Sequence, residues 1–173
     1  MKSINKSVID IIKEAIKLEI EGRKFFEYAE KLTHNKLGKK MFQKLAKEEV
    51  GHLDSFGKLF TSIIGSEDWE KFVNKEESKS KSSIIEELTS RLEKGERASE
   101  LEAISIGMDL EKKSIAFFEK SANEVSDPIV REIISKICDE ERFHYDLLQA
   151  EYDSLTNSGF WLDVAEFRMD AKY

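Results

Sequence analysis

A single offset organises this chain. Adding 92 to a residue number in the first half lands on a matching residue in the second. Leu18-Glu19 pairs with Leu110-Glu111, Phe25-Phe26-Glu27 with Phe117-Phe118-Glu119, and Lys44 with Lys136. Glu48-Glu49 pairs with Glu140-Glu141, His52 with His144, and Asp54 with Asp146. From Ala15 to Phe56 no gap is needed, and ten of the 42 positions are identical. Glu and Lys are abundant enough to match by chance, but histidine is not. The chain has three, and two of them fall in the same Glu-x-x-His context at the same offset. Two copies of one supersecondary unit must therefore pack against each other.

The unit is helical. One Pro and eight Gly in 173 residues leave few breakpoints, and 36% of the residues are charged, against roughly 25% in ordinary soluble domains. Long amphipathic helices with charged outer faces fit that composition. The pattern predicts a first helix over about 7–32, capped by Ser7 with Asp10 in capping-box spacing. Thr33-His34-Asn35 reads as a turn, and a second helix follows to about Ile64. The pattern then fails from Gly65 to about Ser83, although Trp69 and Phe72 can anchor a short helix there, and the Lys-Ser run from Ser78 to Ser83 reads as a solvated loop. A helix resumes near Ile84 with Ser83 and Glu86 as its cap, and Gly95 interrupts it. The third long helix covers about 98–124. Asp127-Pro128 starts the fourth, which runs to about Leu155, because Asp caps well and Pro at the first helical position forfeits no needed hydrogen bond. Two short-turn hairpins joined by one long crossover predict an all-α, ferritin-like four-helix bundle over residues 1–156. The aromatic tail 157–173, with Phe160, Trp161 and Phe167, is expected to pack on the bundle or on a dimer partner.

Charge and cysteine content exclude several classes. Net charge is −7 and no basic stripe is visible, so nucleic acid is not an expected partner. The single Cys138 supports neither a disulfide framework nor a CxxC metal knuckle, and reads as a small packing residue. No apolar run is long enough to span a membrane, and the first residues carry no uninterrupted apolar core of a signal peptide, so a cytoplasmic location is expected.

Steps of four and three trace the inward stripe of each helix. They give Val8, Ile12, Ala15, Glu19, Gly22, Phe26 and Ala29 in the first helix. The second gives Phe42, Leu45, Glu49, His52, Phe56, Leu59 and Ile63. The third gives Ile104, Gly107, Glu111, Ser114, Phe118, Ser121 and Val125, and the fourth gives Val130, Ile134, Ile137, Glu141, His144 and Leu148. Each apolar stripe has one Glu near its middle, and in two of them a His follows three residues later on the same face. Four buried, unpaired carboxylates would cost many kcal/mol or be forced to protonate. Two divalent cations answer the problem, since their charge balances Glu19, Glu49, Glu111 and Glu141 while His52 and His144 each supply an imidazole. That inventory suits di-iron or di-manganese carboxylate bundles. A metal-free bundle with protonated or water-bridged carboxylates is the competing reading.

The segments AIKLEIEGRKFFEYA, KLAKEEVGHLDSF, IGMDLEKKSIAFFEKSA and KICDEERFHYDLL resemble the ferritin-like domain of the rubrerythrin family, over about 7–155. The resemblance implies a non-haem di-iron centre (two Fe ions, with Mn as the alternative) on Glu19, Glu49, His52, Glu111, Glu141 and His144. By analogy Glu19 and Glu111 are terminal ligands and Glu49 and Glu141 bridge. It implies an oxidoreductase of the peroxidase type, acting on hydrogen peroxide or dioxygen and linked to oxidative stress. Typical members carry a rubredoxin domain with two CxxC knuckles. One cysteine cannot make them, so a separate electron donor such as a rubredoxin-like protein is expected. Where typical members have a further Glu one turn after the third-helix ligand, this chain has Ser114, and the tyrosines usual near the site appear as Phe26 and Phe118. The pocket should then be more apolar. A homodimer is expected, and the long crossover would permit its hairpins to swap.

Three rival functions share or forgo this site: a ferroxidase for iron storage or detoxification, an oxidase of an organic substrate, and a purely structural bundle. The imidazoles need outer hydrogen-bond acceptors. Asp109 and Glu102 are loose candidates, and Glu48 and Glu140, about 100° off the ligand face, suit surface or supporting duty. His34 is expected to be solvated. Tyr28, Tyr145 and Tyr152 read as packing residues that could also relay electrons. Glu27 and Glu119 match across the repeat without an evident role.

Overall fold

A computed structural model of the chain describes residues 6–78 and 96–156. Five helices cover them: α1 (Lys6–Leu32), α2 (Lys36–Ile63), α3 (Ser66–Glu77), α4 (Glu96–Glu124) and α5 (Pro128–Thr156). The described residues contain no strand. The expected helix near Ile84, the Lys-Ser run beyond Ser78 and the tail after Thr156 lie outside the described residues. The first helix begins at Lys6, so Ser7 falls inside it rather than capping it. The third long helix is described from Glu96 onward, so the expected start near Ala98 already lies within it.

The 92-residue relation extends to the turns. Asn35 Oδ1 accepts from the backbone N–H of Leu37 and Gly38. Asp127 Oδ1 accepts from Ile129 and Val130. Asn35 and Asp127 are themselves 92 apart, so each hairpin is closed by the same device at the same place, satisfying N–H groups that the first helical turn leaves without partners. Arg131 adds a clamp on the second turn, donating from its guanidinium to the Val125 carbonyl at 2.7 and 3.1 Å.

α1 packs along α2 and α4 along α5, and the hairpins join with α1 beside α4 and α2 beside α5. This is the ferritin-like bundle expected from the repeat. Apart from half-buried Ser114 and Ile63, every residue of the four traced stripes is buried. The core is two apolar slabs. One contains Ile12, Ile16, Phe56, Phe60, Phe118 and Ile134. The other contains Phe25, Phe26, Met41, Phe42, Ile104 and Leu148. The Glu and His positions fall between them on every helix. Phe56 and Phe118 stack with centroids 5.7 Å apart, and Phe26 and Phe42 at 6.2 Å. Both faces of the polar layer are thus closed by aromatic rings. Replacing Phe56 or Phe118 with Ala is expected to cost about 3–5 kcal/mol. Thermal denaturation should show a midpoint roughly 2–4 °C lower for each kcal/mol lost.

α3 is an addition to one hairpin. Trp69 and Phe72 pack on Phe60 of α2. Trp69 comes so close to Gly57 that a Cβ there would lie 2.7 Å from its ring. At the other end of α3, Arg23 Nη2 donates to Glu77 Oε2 at 2.7 Å and Lys24 Nζ to the Glu77 carbonyl at 2.9 Å. Two cations from α1 thereby meet the negative end of the α3 dipole.

Candidate metal centre

The structure brings all six sequence-derived ligand positions into one place, the polar layer between the slabs. Glu19, Glu49, His52, Glu111, Glu141 and His144 are each at most 3% exposed. They form two groups. In one, ligand atoms of Glu19, Glu49, His52 and Glu141 all lie within 4.8 Å of one another; in the other, those of Glu49, Glu111, Glu141 and His144 do. Glu49 and Glu141 belong to both groups, as bridging carboxylates must, whereas Glu19 and Glu111 each belong to one. The imidazoles stack at the centre, 5.5 Å between centroids.

Both imidazoles present Nδ1 inward. His52 Nδ1 is 3.1 Å from Glu19 Oε2 and 3.0 Å from Glu141 Oε1. His144 Nδ1 lies 3.3–3.4 Å from carboxylate oxygens of Glu49, Glu111 and Glu141. The outward Nε2 atoms cross between hairpins. His52 on α2 meets Glu140 on α5 at 2.7 Å, and His144 on α5 meets Glu48 on α2 at 2.8 Å. The supporting acceptors are therefore Glu140 and Glu48. Asp109 instead lies exposed on α4 beside Lys112. The carboxylates can accept a hydrogen bond from Nε2–H, which keeps the proton there and leaves Nδ1 as the lone-pair nitrogen, the tautomer a metal ligand needs. Replacing Glu48 or Glu140 with Ala is expected to weaken metal binding about 10–100-fold, with partial rescue by Gln, measured by competition against a chelator.

The electrostatics reveal what the donor set lacks. Burial, reinforced by the nearby Glu49 charge, holds the Glu19 carboxyl well above the usual range. Burial and the Glu141 charge do the same for Glu111. Glu141 goes the other way: burial opposes its ionisation, but the close polar approach of Glu111, His144 and His52 prevails and lowers it. Burial alone would lower both histidines, yet hydrogen bonds to carboxylates win. His52, paired with Glu141, is pushed up to about 8, and His144 is raised as well. Glu48 is pulled down to about 2 by His144 and Lys44 despite its partial burial. Oε1 of Glu19, Oε1 of Glu111, both oxygens of Glu141 and Nδ1 of His144 are buried without an aligned hydrogen bond. Three of the four buried carboxylates thus carry orphaned lone pairs, which cost free energy until something positive shares them.

A divalent cation meets that need. Ligand atoms bound at about 2.0–2.2 Å to one ion lie at most about 4.4 Å apart. Ligand atoms that all lie within 4.8 Å of one another reach that span with at most small side-chain shifts. Gly22 keeps the way clear, since a Cβ there would sit 3.1 Å from Glu49 Oε2.

The other singled-out residues take structural roles. Cys138 is buried, and its thiol faces the Ile115 carbonyl. Burial raises its pKa, so it stays a thiol. Glu119 pairs with Arg142 at 2.6 Å, and Glu27 lies 3.7 Å from Arg23 Nε. His34 is exposed. Tyr28, Tyr145 and Tyr152 are half-buried, and Tyr145 donates weakly to Gln149 at 3.4 Å.

The sequence reading missed buried carboxyls outside the metal centre, among them Glu100 and Glu151, at 7% and 5% exposure. Burial raises both, and the Glu100 charge raises Glu151 further. The stripes themselves point to them, since one further step back from Ile104 reaches Glu100 and one further step on from Leu148 reaches Glu151, and their counterparts across the repeat are apolar Val8 and Leu59.

Comparison with known proteins gives two matches. A family model described as rubrerythrin matches residues 10–152. Among solved structures, a hypothetical protein from Pyrococcus furiosus aligns over 90% of this chain and 94% of its own, with a TM-score of 0.64 and 21% identity. No curated protein sequence matches.

Proposed function

The chain belongs to the rubrerythrin family, and from that premise we propose that it is a non-haem di-iron oxidoreductase reducing hydrogen peroxide or dioxygen. The observation that carries this reading is the pair of four-ligand groups sharing Glu49 and Glu141. Such sharing supports a dinuclear centre over two separate sites. Glu19 and Glu111 would hold one ion each, His52 and His144 would each add an Nδ1, and the shared carboxylates would span the two. Iron bound there in the ferrous state supplies one electron per ion for cleavage of an O–O bond.

The chain's own residues set the conditions. Phe56 and Phe118 on one side and Phe26 and Phe42 on the other close the layer to bulk water. No tyrosine hydroxyl takes the place of Phe26 or Phe118, so protons must arrive through the carboxylates and imidazoles. Glu48 and Glu140 are suited to that, since each touches a buried imidazole while remaining 36% and 44% exposed. These 173 residues hold a single cysteine, so electrons are proposed to come from a separate rubredoxin-like carrier, with the protein acting as a homodimer.

The test is metal analysis of anaerobically purified protein, followed by rapid mixing with peroxide and, separately, with dioxygen. The expected result is two irons per chain, oxidised faster by peroxide. Oxidation mainly by dioxygen, with iron accumulating beyond two per chain, would replace this reading by a ferroxidase storing iron. Absence of bound metal would overturn it.

A further inference from the structure

The two halves of the bundle match at every metal-ligand position but not beside it. A cavity of about 320 Å³ opens between α2 and α5 next to Glu140, the outer partner of His52. Leu59, Ile133 and Ile137 form an apolar floor, Lys58 and Lys136 stand at the mouth, and Ser55 lies alongside. The 92-residue relation shows that its lining is particular to this side. The counterparts of Ser55 and Ile133 are Leu147 and Met41, and that of Lys58 is Ala150. Met41 is 1% exposed, Leu147 packs against the same apolar slab and Glu151 stands in the place of Leu59, so the equivalent region has neither this apolar floor nor a second lysine. Metal ligation is common to both halves and does not require this opening.

We propose that the cavity binds a small amphipathic monoanion, of the class of medium-chain carboxylates. Its volume lies at the lower end of the range for small-molecule sites, about 300–1,000 Å³. An alkyl chain on Leu59, Ile133 and Ile137 is removed from water, the main source of affinity for such a ligand. The head group meets two ammonium groups against a single lining carboxylate, Glu140, whose Oε2 is committed to His52. Lys136 lies 4.0 Å from Glu140 Oε1, too far for a hydrogen bond, and is open to a closer anion. Lys58 is paired at 2.6 Å with Asp54, but both side chains are well exposed, and such pairs exchange partners at little cost. The Ser55 hydroxyl donates to the Gly51 carbonyl and keeps its lone pairs free to accept, so it contributes room rather than charge. This site is independent of whether the metal centre works on peroxide.

The probe is octanoate, titrated calorimetrically into the full-length protein as purified, with 1-octanol as the uncharged comparison. One octanoate per chain should bind saturably. Octanol should bind about tenfold or more weakly, and the Lys58→Glu/Lys136→Glu double variant should lose a similar factor. Ser55→Leu, which installs the residue found at the equivalent position of the other half, should abolish binding with the helical circular dichroism unchanged. Should Ser55→Leu misfold, Ile133→Trp fills the same space and serves in its place. Absence of saturable octanoate binding to the unaltered protein, equal binding by octanol, or undiminished binding by a folded cavity-filling variant would each overturn the proposal.

Discussion

Replacing Glu49 and Glu141 together with alanine is expected to strip the protein of metal while leaving its helices intact. Each carboxylate belongs to both ligand groups, so the double change removes two donors from each ion and leaves one imidazole and one carboxylate apiece. Loss of half of a ligand set should lower affinity by several kcal/mol, on the order of a thousandfold or more. The fold should tolerate the change. Without metal these two carboxyls lie buried among like charges, and exchanging buried ionic groups for apolar ones is often neutral or stabilising. The measurement is metal content per chain after dialysis, alongside circular dichroism. Single replacements of Glu19 or Glu111 should each release one ion and spare the other. Metal retained by the double variant would remove Glu49 and Glu141 from the site.

Stripping metal from the unaltered protein should produce the second large effect, a loss of thermal stability that grows with pH. An ion present at about a thousand times its dissociation constant stabilises the folded state by about 4 kcal/mol. For a chain of this size that corresponds to roughly 8–16 °C in the denaturation midpoint. The pH dependence follows from the raised groups. His52 has a folded-state value of about 8 against an ordinary 6.5, so its stabilising contribution is complete below 6.5 and lost as pH rises through 8. Glu19 and Glu111 are also raised, so the folded protein binds their protons more tightly than the unfolded chain does and loses stability as they ionise. Glu48 opposes this only in acid. Lowered from 4.5 to about 2, its contribution is present above 4.5 and disappears as pH falls through 2. The metal-free protein should therefore melt higher near pH 5.5 than near pH 8.5, in the order set by these values. The loaded protein should reverse or flatten that trend, because protons compete with metal for the same atoms. Scanning calorimetry with and without chelator at the two pH values distinguishes the cases.

The buried Glu and His cluster could be read from the sequence because a site built from four helices imposes a register. Glu19, Glu49, Glu111 and Glu141 each interrupt a stripe that is otherwise apolar, and His52 and His144 repeat one spacing. A helical wheel finds such breaks without knowing how helices pack. Partnership between helices is a different matter. Glu48 and Glu140 lie off their own helices' ligand stripe, and they become the acceptors for His144 and His52 only once α2 and α5 come side by side. No single wheel contains that distance, although the matched Lys44-Glu48 and Lys136-Glu140 pairs marked the positions as part of the repeat. Glu100 and Glu151 do lie on their own helices' stripes, four residues before Ile104 and three after Leu148, but a carboxylate at the end of a stripe looks the same as the stripe running out into solvent.

The crosswise hydrogen bonds have a consequence for assembly. Each ligand group takes three residues from one hairpin and one from the other, or the reverse, and each imidazole is oriented from the hairpin opposite. Nothing in this arrangement records whether the two hairpins share a polypeptide. A first hairpin from one molecule and a second from its neighbour would present the same four carboxylates and two imidazoles. The centre specifies the pairing of unlike hairpins and leaves it to the connecting segment to choose between closure within a chain and exchange between chains.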